Sequence, residues 1–169
     1  MLETVDLVLD KAKFSDWKGM YDHVWSHPES AKYMLWRVTE SEEDAKNRIQ
    51  KTMEFQKTHD TYLVYERASG EPIGIAGVEK IAPFIYQEAG ICLGSDYVGR
   101  GYGKQILQCL IRYCREEHQA KEFYYSTREE NVASNKLALS FGFEKVSEEM
   151  RTDGRTGQEY CLVKYKKIL

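Results

Sequence analysis

The chain has 169 residues, a length that fits one domain with a sizeable hydrophobic core. Hydrophobic residues make up 42% and charged residues 30%, which is typical of a soluble globular protein. The 24 basic and 27 acidic side chains give a net charge of -3, so no basic excess points to nucleic acid as a partner.

The amino-terminal segment predicts one strand followed by short helices. Apolar and polar side chains alternate over Val5–Leu9, which indicates the strand. Ser15 can cap a helix that runs to about His27. Pro28 then restarts a short helix that we expect to extend toward Trp36.

A longer helix is expected after Ser41, because acidic residues fill the first turn beyond it. Its apolar residues Ile49, Met53 and Phe55 predict one buried stripe along this helix. Three strands should follow, at Thr61–Tyr65, Ile73–Val78 and Tyr86–Leu93.

The second half of the chain alternates helices with strands. An amphipathic helix is predicted from about Gly103 to Glu117. Its buried face is expected to carry Ile106, Leu107, Leu110, Ile111 and Cys114. The remaining elements are a strand at Phe123–Thr127, a helix at Asn131–Phe141 ended by Gly142, and a hairpin of Phe143–Met150 with Tyr160–Lys166. This order predicts a mixed α/β sheet in a single domain, residues 1–169.

The cysteine pattern and the lack of long apolar runs allow predictions about metal binding and cellular location. Cys92, Cys109, Cys114 and Cys161 form no C-x-x-C pair, and no histidine lies at zinc-ligand spacing beside them. We therefore predict reduced thiols, no metal site and a cytoplasmic location. The start of the chain lacks a signal-peptide pattern, and no apolar run approaches the roughly 20 residues of a membrane span, so no membrane partner is expected.

A glycine-rich turn, V-G-R-G-Y-G-K, occupies Val98–Lys104 between a predicted strand and a predicted helix. Glycine has no Cβ, so backbone N–H groups can converge there, and the helix adds its unpaired N–H groups and positive dipole end. Arg100 adds charge, and the segment predicts a phosphate cradle. The spacing excludes a Walker loop, because Gln105 replaces its Ser or Thr, and excludes a dinucleotide fingerprint. A tight turn without a ligand is the alternative.

The turn resembles the signature loop of the GNAT superfamily of N-acetyltransferases, Q/R-x-x-G-x-G/A, with Val98 at its first position. Upstream, Glu88–Leu93 resembles the E-I-G-Y-x-L strand of the branch typified by RimJ and RimL. Downstream, Asn131–Asn135 and Gly142-Phe143 resemble the N-x-x-S helix and closing G-F of the family. The resemblance covers essentially the whole chain. It implies a mostly antiparallel central sheet that is splayed at the cofactor site and flanked by helices.

By this resemblance, the chain moves an acetyl group from acetyl-CoA to a primary amine by direct attack in a ternary complex. The acceptor is a small-molecule or peptide amine, including a protein N-terminus. The implied cofactor-binding residues are Cys92, Leu93, Gly94, Val98, Gly99, Arg100, Gly101, Tyr102, Gly103, Lys104, Gln105, Asn131 and Asn135. For Asn131, a helix N-cap is the alternative role.

The sequence matches the acid–base residues of the family less completely than its cofactor-binding residues. Glu88 is the candidate general base, and an exposed strand glutamate is the alternative. Ala138 stands where many family members have a general-acid tyrosine, and Ser126 stands where some have a glutamate. Ser126 itself, Tyr124 or Tyr125 could supply a hydroxyl. Two alternatives therefore stay open: a sensor that binds acetyl-CoA without turnover, and an acyltransferase that uses a longer acyl-CoA.

The acceptor site is expected among aromatic residues of the N-terminal helices and strand hairpins, with core packing as the alternative for each. The candidates are Trp25, Tyr33, Trp36, Phe84 and Tyr86. The sequence leaves open which amine is the acceptor, which acyl length is preferred and which oligomer forms, a homodimer being one option.

Overall fold

The computed structural model describes all of residues 1–169, and its helices and strands form one α/β domain. The strands are β1 (Leu2–Glu3), β2 (Leu7–Asp10), β3 (Thr61–Glu66), β4 (Pro72–Ala82), β5 (Ile85–Leu93), β6 (Glu122–Arg128), β7 (Glu144–Thr152) and β8 (Glu159–Ile168). The helices are α1 (Trp17–Met20), α2 (Pro28–Ala31), α3 (Glu42–Phe55), α4 (Tyr102–His118) and α5 (Val132–Ser140). A 3-10 turn (Phe14–Asp16) leads into α1, and a π-helical stretch (Tyr21–Trp25) follows it.

All eight strands join one sheet, in the order β1-β2-β3-β4-β5-β6-β8-β7. Every neighbouring pair is antiparallel except β5 and β6. The parallel pairing ends at Gln87↔Tyr124, although β5 continues to Leu93 and β6 to Arg128. The two strands therefore separate beyond Gln87, and the predicted splay of a mostly antiparallel sheet is confirmed.

Apolar side chains cover both faces of the sheet. The larger cluster lies under α4 and α5, and all five predicted residues of α4, Ile106, Leu107, Leu110, Ile111 and Cys114, are buried in it. The smaller cluster packs α1 and α3 on the other face, with Met20, Trp25 and Ile49 at its centre. This arrangement leaves the splay between β5 and β6 accessible from the side of the sheet that carries α1 to α3.

Two predictions about the N-terminal helices were wrong. The helix that begins at Pro28 ends at Ala31, so residues 32–36 form turns and bends instead of helix. Phe55 is not part of a buried stripe, because 51% of it is exposed at the end of α3, where it stacks on His59. The predicted cap at Ser15 was also wrong, because Ser15 lies within the 3-10 turn that precedes α1. Two other predicted helix ends are confirmed: the Ser41 hydroxyl accepts the Asp44 N–H at 3.1 Å and begins α3, and Gly142 follows α5 with φ +73°.

No helix of the protein is both long enough and apolar enough to cross a membrane. All four cysteines are free thiols, as the sequence predicted.

Candidate active site

The glycine-rich turn presents unused backbone donors. Gly99 and Gly101 have φ of +78° and +80°, a left-handed conformation that L-residues adopt only with strain, and Gly101 is the N-cap of α4. None of the backbone N–H groups from Val98 to Lys104 donates a hydrogen bond within the chain. Together with the positive end of α4, they can bind an anionic ligand such as a pyrophosphate.

Side chains of this turn are held by Glu66, at the end of β3. Glu66 accepts a hydrogen bond of 2.8 Å from the Tyr102 hydroxyl, and the Arg100 guanidinium lies 3.3 Å from the same oxygen. These bonds hold the pKa of Glu66 below its usual range. Lys104 is exposed and forms no ion pair, so it is the mobile cation of the turn.

Two residues that were predicted to bind the cofactor are used by the fold. The Gln105 amide accepts bonds from the Thr4 hydroxyl (2.8 Å) and the Asp6 N–H (3.1 Å), and it donates to the Asp6 carboxylate (2.6 Å). The Asn135 amide donates to three backbone carbonyls that precede α5 and accepts from the Tyr165 hydroxyl at 2.7 Å. A ligand that used either amide would have to replace these bonds.

At the end of β5, some backbone groups are hydrogen-bonded to β4 and others face the splay between β5 and β6. The Gly94 N–H donates to the Ile73 carbonyl at 2.8 Å, so it is already paired with β4. A side chain at Gly94 would come within 2.1 Å of the His23 carbonyl oxygen, which explains the glycine. Cys92 is buried and points its thiol at a carbonyl of α2. Since bonding directions alternate along a strand, Leu93 turns its backbone to the open edge, where an extended ligand could pair.

The splay opens a cleft of about 670 Å³. Residues of β5 and β6 form its inner walls, residues 33–36 cover one side, and the β7–β8 hairpin covers the other. The predicted site residues that line the cleft are Glu88, Ser126, Asn131, Tyr33 and Trp36. Three other aromatic candidates lie elsewhere: Tyr86 and Trp25 are buried in the two cores, and half of Phe84 is exposed beyond the cleft.

Glu88 occupies a bulge in β5 at the point where β6 leaves. Its carboxylate accepts the Gly90 N–H at 2.7 Å, and Gly90 has φ +104°, which directs this donor back to the carboxylate. Partial burial in the cleft raises the pKa of Glu88 to about 7, although the N–H groups of Gly90 and Ser126 favour the charged form. A carboxyl group with this pKa can accept a proton near neutral pH.

A pair of hydroxyl groups lies across the cleft from Glu88. The Tyr125 and Ser134 oxygens are 2.7 Å apart, and both residues line the cleft. Burial raises the pKa of Tyr125, and the Glu88 charge raises it further, so the phenol stays protonated. Tyr124 faces away and donates to Glu122 at 3.2 Å.

Ser134 is the serine of the N-x-x-S pattern, but the pattern alone does not assign it a role. Asn131 caps α5 by accepting the Ser134 N–H at 3.2 Å, so the cap places the hydroxyl in the first turn of the helix. Ala138, one turn further along, is fully buried in the core and cannot contribute chemistry.

The β7–β8 hairpin is fastened over the cleft by a buried ionic cluster that the sequence did not predict. Asp153, only 2% exposed, accepts from Arg128 at 2.7 Å and from Arg155 at 2.8 Å. Arg155 also donates to the carbonyls of Ala31 and Trp36, both at 2.9 Å. The hydrogen bonds from Arg155 and Arg128 hold the pKa of Asp153 well below its usual range. The cluster therefore connects the hairpin to the segment that covers the opposite side of the cleft.

A family model described as acetyltransferase (GNAT) domain matches residues 6–144. The chain belongs to the GNAT acetyltransferase family. One curated relative is the N-alpha-acetyltransferase RimI of Mycobacterium tuberculosis, which is 31% identical over 96 residues, or 55% of this chain and 58% of the relative. Another is the ribosomal-protein-serine acetyltransferase of Escherichia coli, 28% identical over 108 residues, or 63% of this chain and 60% of the relative. The chain thus matches about three fifths of the length of these relatives.

Solved GNAT structures share the whole architecture. The RimL ribosomal L7/L12 alpha-N-protein acetyltransferase in complex with coenzyme A has a TM-score of 0.80 at 21% identity, over 98% of this chain and 96% of that chain. This likeness confirms the predicted fold. In this GNAT domain, no group of three or more His, Cys, Asp or Glu side chains is arranged to hold a metal ion.

Proposed function

We propose that this GNAT domain transfers an acetyl group from acetyl-CoA to a primary amine, by direct attack in a ternary complex. The observation that carries the proposal is Glu88, a carboxyl group with a pKa of about 7 in the cleft between β5 and β6. A base of this strength, close to a turn with free anion-binding donors, suits the removal of a proton from an attacking amine.

The donor half of the proposed site binds acetyl-CoA. The pyrophosphate would accept hydrogen bonds from the free N–H groups of Val98–Lys104, with Lys104 as an additional cation. The thioester arm would extend along the open edge of β5 at Leu93, and Asn131 at the cleft would contact it while capping α5. Cys92 and Gly94 support this path from the opposite side of the strand.

In the proposed reaction, the amine nitrogen attacks the thioester carbonyl carbon. A C–N bond forms, the C–S bond breaks, and the proton lost by the amine passes to the Glu88 carboxylate. Backbone N–H groups at the open edge of β5 stabilise the transient oxyanion. Holding both substrates together in the cleft supplies much of the rate, since well-oriented reactants gain about 7–11 kcal/mol.

The departing thiolate of coenzyme A accepts a proton from the Tyr125–Ser134 hydroxyl pair, which replaces the tyrosine missing at Ala138. The pair is hydrogen-bonded at 2.7 Å, so its two hydroxyls act together. The proton that the pair gives up is replaced by the one that Glu88 received from the amine, passed on through water, which regenerates both groups. Ser126, which also lines the cleft, acts in this proposal through its backbone N–H on Glu88.

An α-amine is the better acceptor on physical grounds. Deprotonating a lysine amine at pH 7 costs roughly 4–5 kcal/mol, whereas an α-amine costs about 1 kcal/mol, because their pKa values are ~10.4 and ~7.8. The names of the two curated relatives, an N-alpha-acetyltransferase and a ribosomal-protein-serine acetyltransferase, agree with this class of acceptor. We therefore propose a peptide or protein N-terminus as the acceptor.

The test is release of free thiol from acetyl-CoA in the presence of a panel of α-amines and ε-amines. We expect Glu88→Gln to lower kcat/KM by about 10²- to 10⁴-fold, the usual contribution of a general base. In the unmodified protein, kcat/KM should rise with pH through about 7 as Glu88 loses its proton, and the variant should lose that step.

Glu117→Gln is the matched control, because Glu117 is exposed in the last turn of α4 and does not line the cleft. Its kinetics should equal those of the unmodified protein. Tight binding of acetyl-CoA without thiol release on any amine would instead identify a sensor, and faster turnover with propionyl- or succinyl-CoA would identify a different acyl donor.

A further inference from the structure

A second cavity adjoins the cleft on the α3 side of the sheet. Its volume is about 310 Å³, and it lies between α3 and strands β3 to β5. Ile75, Ala89 and Gly90 line both this cavity and the cleft. Ala89 and Gly90 directly follow Glu88 in β5, so the second cavity begins beside the proposed base.

Two cations of α3 line this second cavity, Arg48 and the exposed Lys51, and Arg48 is the one that aromatic rings enclose. Its guanidinium is stacked between two indole rings, 4.6 Å from the centroid of Trp25 and 4.5 Å from that of Trp36. One of its nitrogens donates to the Thr39 hydroxyl at 3.0 Å and to the Arg37 carbonyl at 3.3 Å. Contacts with two rings restrict the guanidinium, and its other nitrogens donate no hydrogen bond within the chain.

No carboxylate of the chain neutralises Arg48. Glu40 and Asp44 line a shallow groove beside it, but neither forms an ion pair with it, and Asp44 is bonded to Ser41. Burial without a counter-ion lowers the pKa of Arg48 to about 10. A cation that is partly removed from water and left without a partner costs free energy, which a bound anion would recover.

A second unused donor belongs to the same cluster. The indole N–H of Trp36 is buried and has no hydrogen-bond acceptor in the structure. Buried donors are almost always paired, so an unpaired one beside an unpaired cation indicates a missing acceptor. Trp36 also lines the cleft, so Arg48 contacts a residue of the cleft wall.

We infer that the Arg48 cavity binds a carboxylate of the amine acceptor, so that the preferred substrates carry an amine and a carboxylate on one molecule. This inference rests on the proposed function and adds a substrate class to it. The amine would lie at Glu88, the body of the acceptor would cross Ala89 and Gly90, and the carboxylate would reach Arg48. A planar guanidinium with a free edge matches a carboxylate through two parallel hydrogen bonds. A polyamine, which has no anion, would leave Arg48 unpaired.

Two matched pairs of acceptors separate the possible sources of the carboxylate. Alanine and alaninamide differ in the α-carboxylate, which also raises the pKa of the amine, so kcat/KM is compared per unprotonated amine. Peptide amides that begin with Asp or Asn differ in a side-chain carboxylate. We expect at least one pair to show a kcat/KM preference of about tenfold or more for the carboxylate member, which corresponds to one charge-assisted hydrogen bond. Arg48→Gln should abolish that preference, so that the two members of the pair have equal kcat/KM in the variant.

Lys46→Gln is the charge control, because Lys46 is exposed on the same helix and lines neither cavity. It should keep the preference. If Arg48→Gln melts early by circular dichroism, Arg48→Lys provides the test, because it keeps the charge but loses the paired geometry and should reduce the preference. Titration of the preferred acceptor against tryptophan fluorescence gives a readout without turnover, since Trp25 and Trp36 flank Arg48, and the saturable signal should disappear in Arg48→Gln.

Equal kcat/KM within both pairs, or a preference that survives in Arg48→Gln, overturns the inference. Acetylation of the neutral amines in that experiment would leave the proposed function intact. If no amine is acetylated, the fluorescence titration decides alone: a signal that depends on Arg48 supports the carboxylate site, and its absence overturns it.

Discussion

The donor half and the acceptor half of the site are built in different ways. The donor half consists mainly of backbone groups within one continuous segment, Val98–Lys104, at the start of one helix. The acceptor half consists of side chains from residues 33–36, β5, β6 and the β7–β8 hairpin, and Arg128, Asp153 and Arg155 hold these parts together across more than a hundred positions of sequence. In the proposed site, a local motif would thus define how the donor binds, whereas long-range packing would define what it reacts with.

If this division is correct, damage to either half should affect one substrate only. Gly101→Val should damage the donor half most, because a β-branched residue at φ +80° is strained even though no atom obstructs its side chain. We expect the Kd for acetyl-CoA to rise by about 10- to 100-fold, as 1–3 kcal/mol of strain implies. Isothermal titration would measure this change.

Gly157→Val is the control for Gly101→Val, because Gly157 has φ +73° in the β7–β8 loop, also with no atom within 4 Å of the added side chain. It should cost similar strain without changing the Kd for acetyl-CoA. Equal losses of acetyl-CoA affinity in both variants would mean that general destabilisation, and not the turn, controls donor binding.

Asp153→Asn should damage the acceptor half. Loss of this charge leaves Arg128 and Arg155 without their shared partner and loosens the bonds from Arg155 to Ala31 and Trp36. We expect Tm to fall by more than about 5 °C and the KM for the amine to rise by about tenfold, with the Kd for acetyl-CoA unchanged. Glu122→Gln breaks an ion pair with Lys166 beside the parallel end of β5 and β6, and it should leave both constants unchanged.

The same division explains what the sequence could predict. The positive φ angles of Gly99 and Gly101, the cap at Asn131 and the buried stripe of α4 depend on neighbours within a few residues, and each follows from local pattern. The ionic cluster at Asp153 depends on contacts between distant segments, for which a single sequence carries no periodic signal. The bonds of Gln105 could not be predicted for the same reason, since its partners Thr4 and Asp6 lie about a hundred positions away.

Proton transfer to the thiolate should connect the two halves. We expect Tyr125→Phe, Ser134→Ala and the double variant each to lower kcat by about tenfold, because two hydroxyl groups that act as one relay are not additive. Tyr124→Phe is the control, since that hydroxyl is bonded to Glu122 and should not affect kcat. Losses that multiply in the double variant would show that the hydroxyl groups act independently.

The smallest expected effect concerns the stability cost of Glu88. Its pKa is about 7 in the folded protein, against a value of 4.5 for a free side chain, so the ionised form destabilises the fold. Glu88 has no such cost below pH 4.5, where it is protonated in both states. The cost grows between pH 4.5 and about 7 and is constant above that range.

Glu88→Gln should therefore raise Tm by about 2–5 °C at pH 8 and leave it unchanged at pH 4.5, because its amide still accepts the Gly90 N–H. Melting curves at both values test this directly, with Glu117→Gln as the control. A gain in Tm that does not change with pH would mean that packing of the amide, and not removal of a buried charge, stabilises the variant.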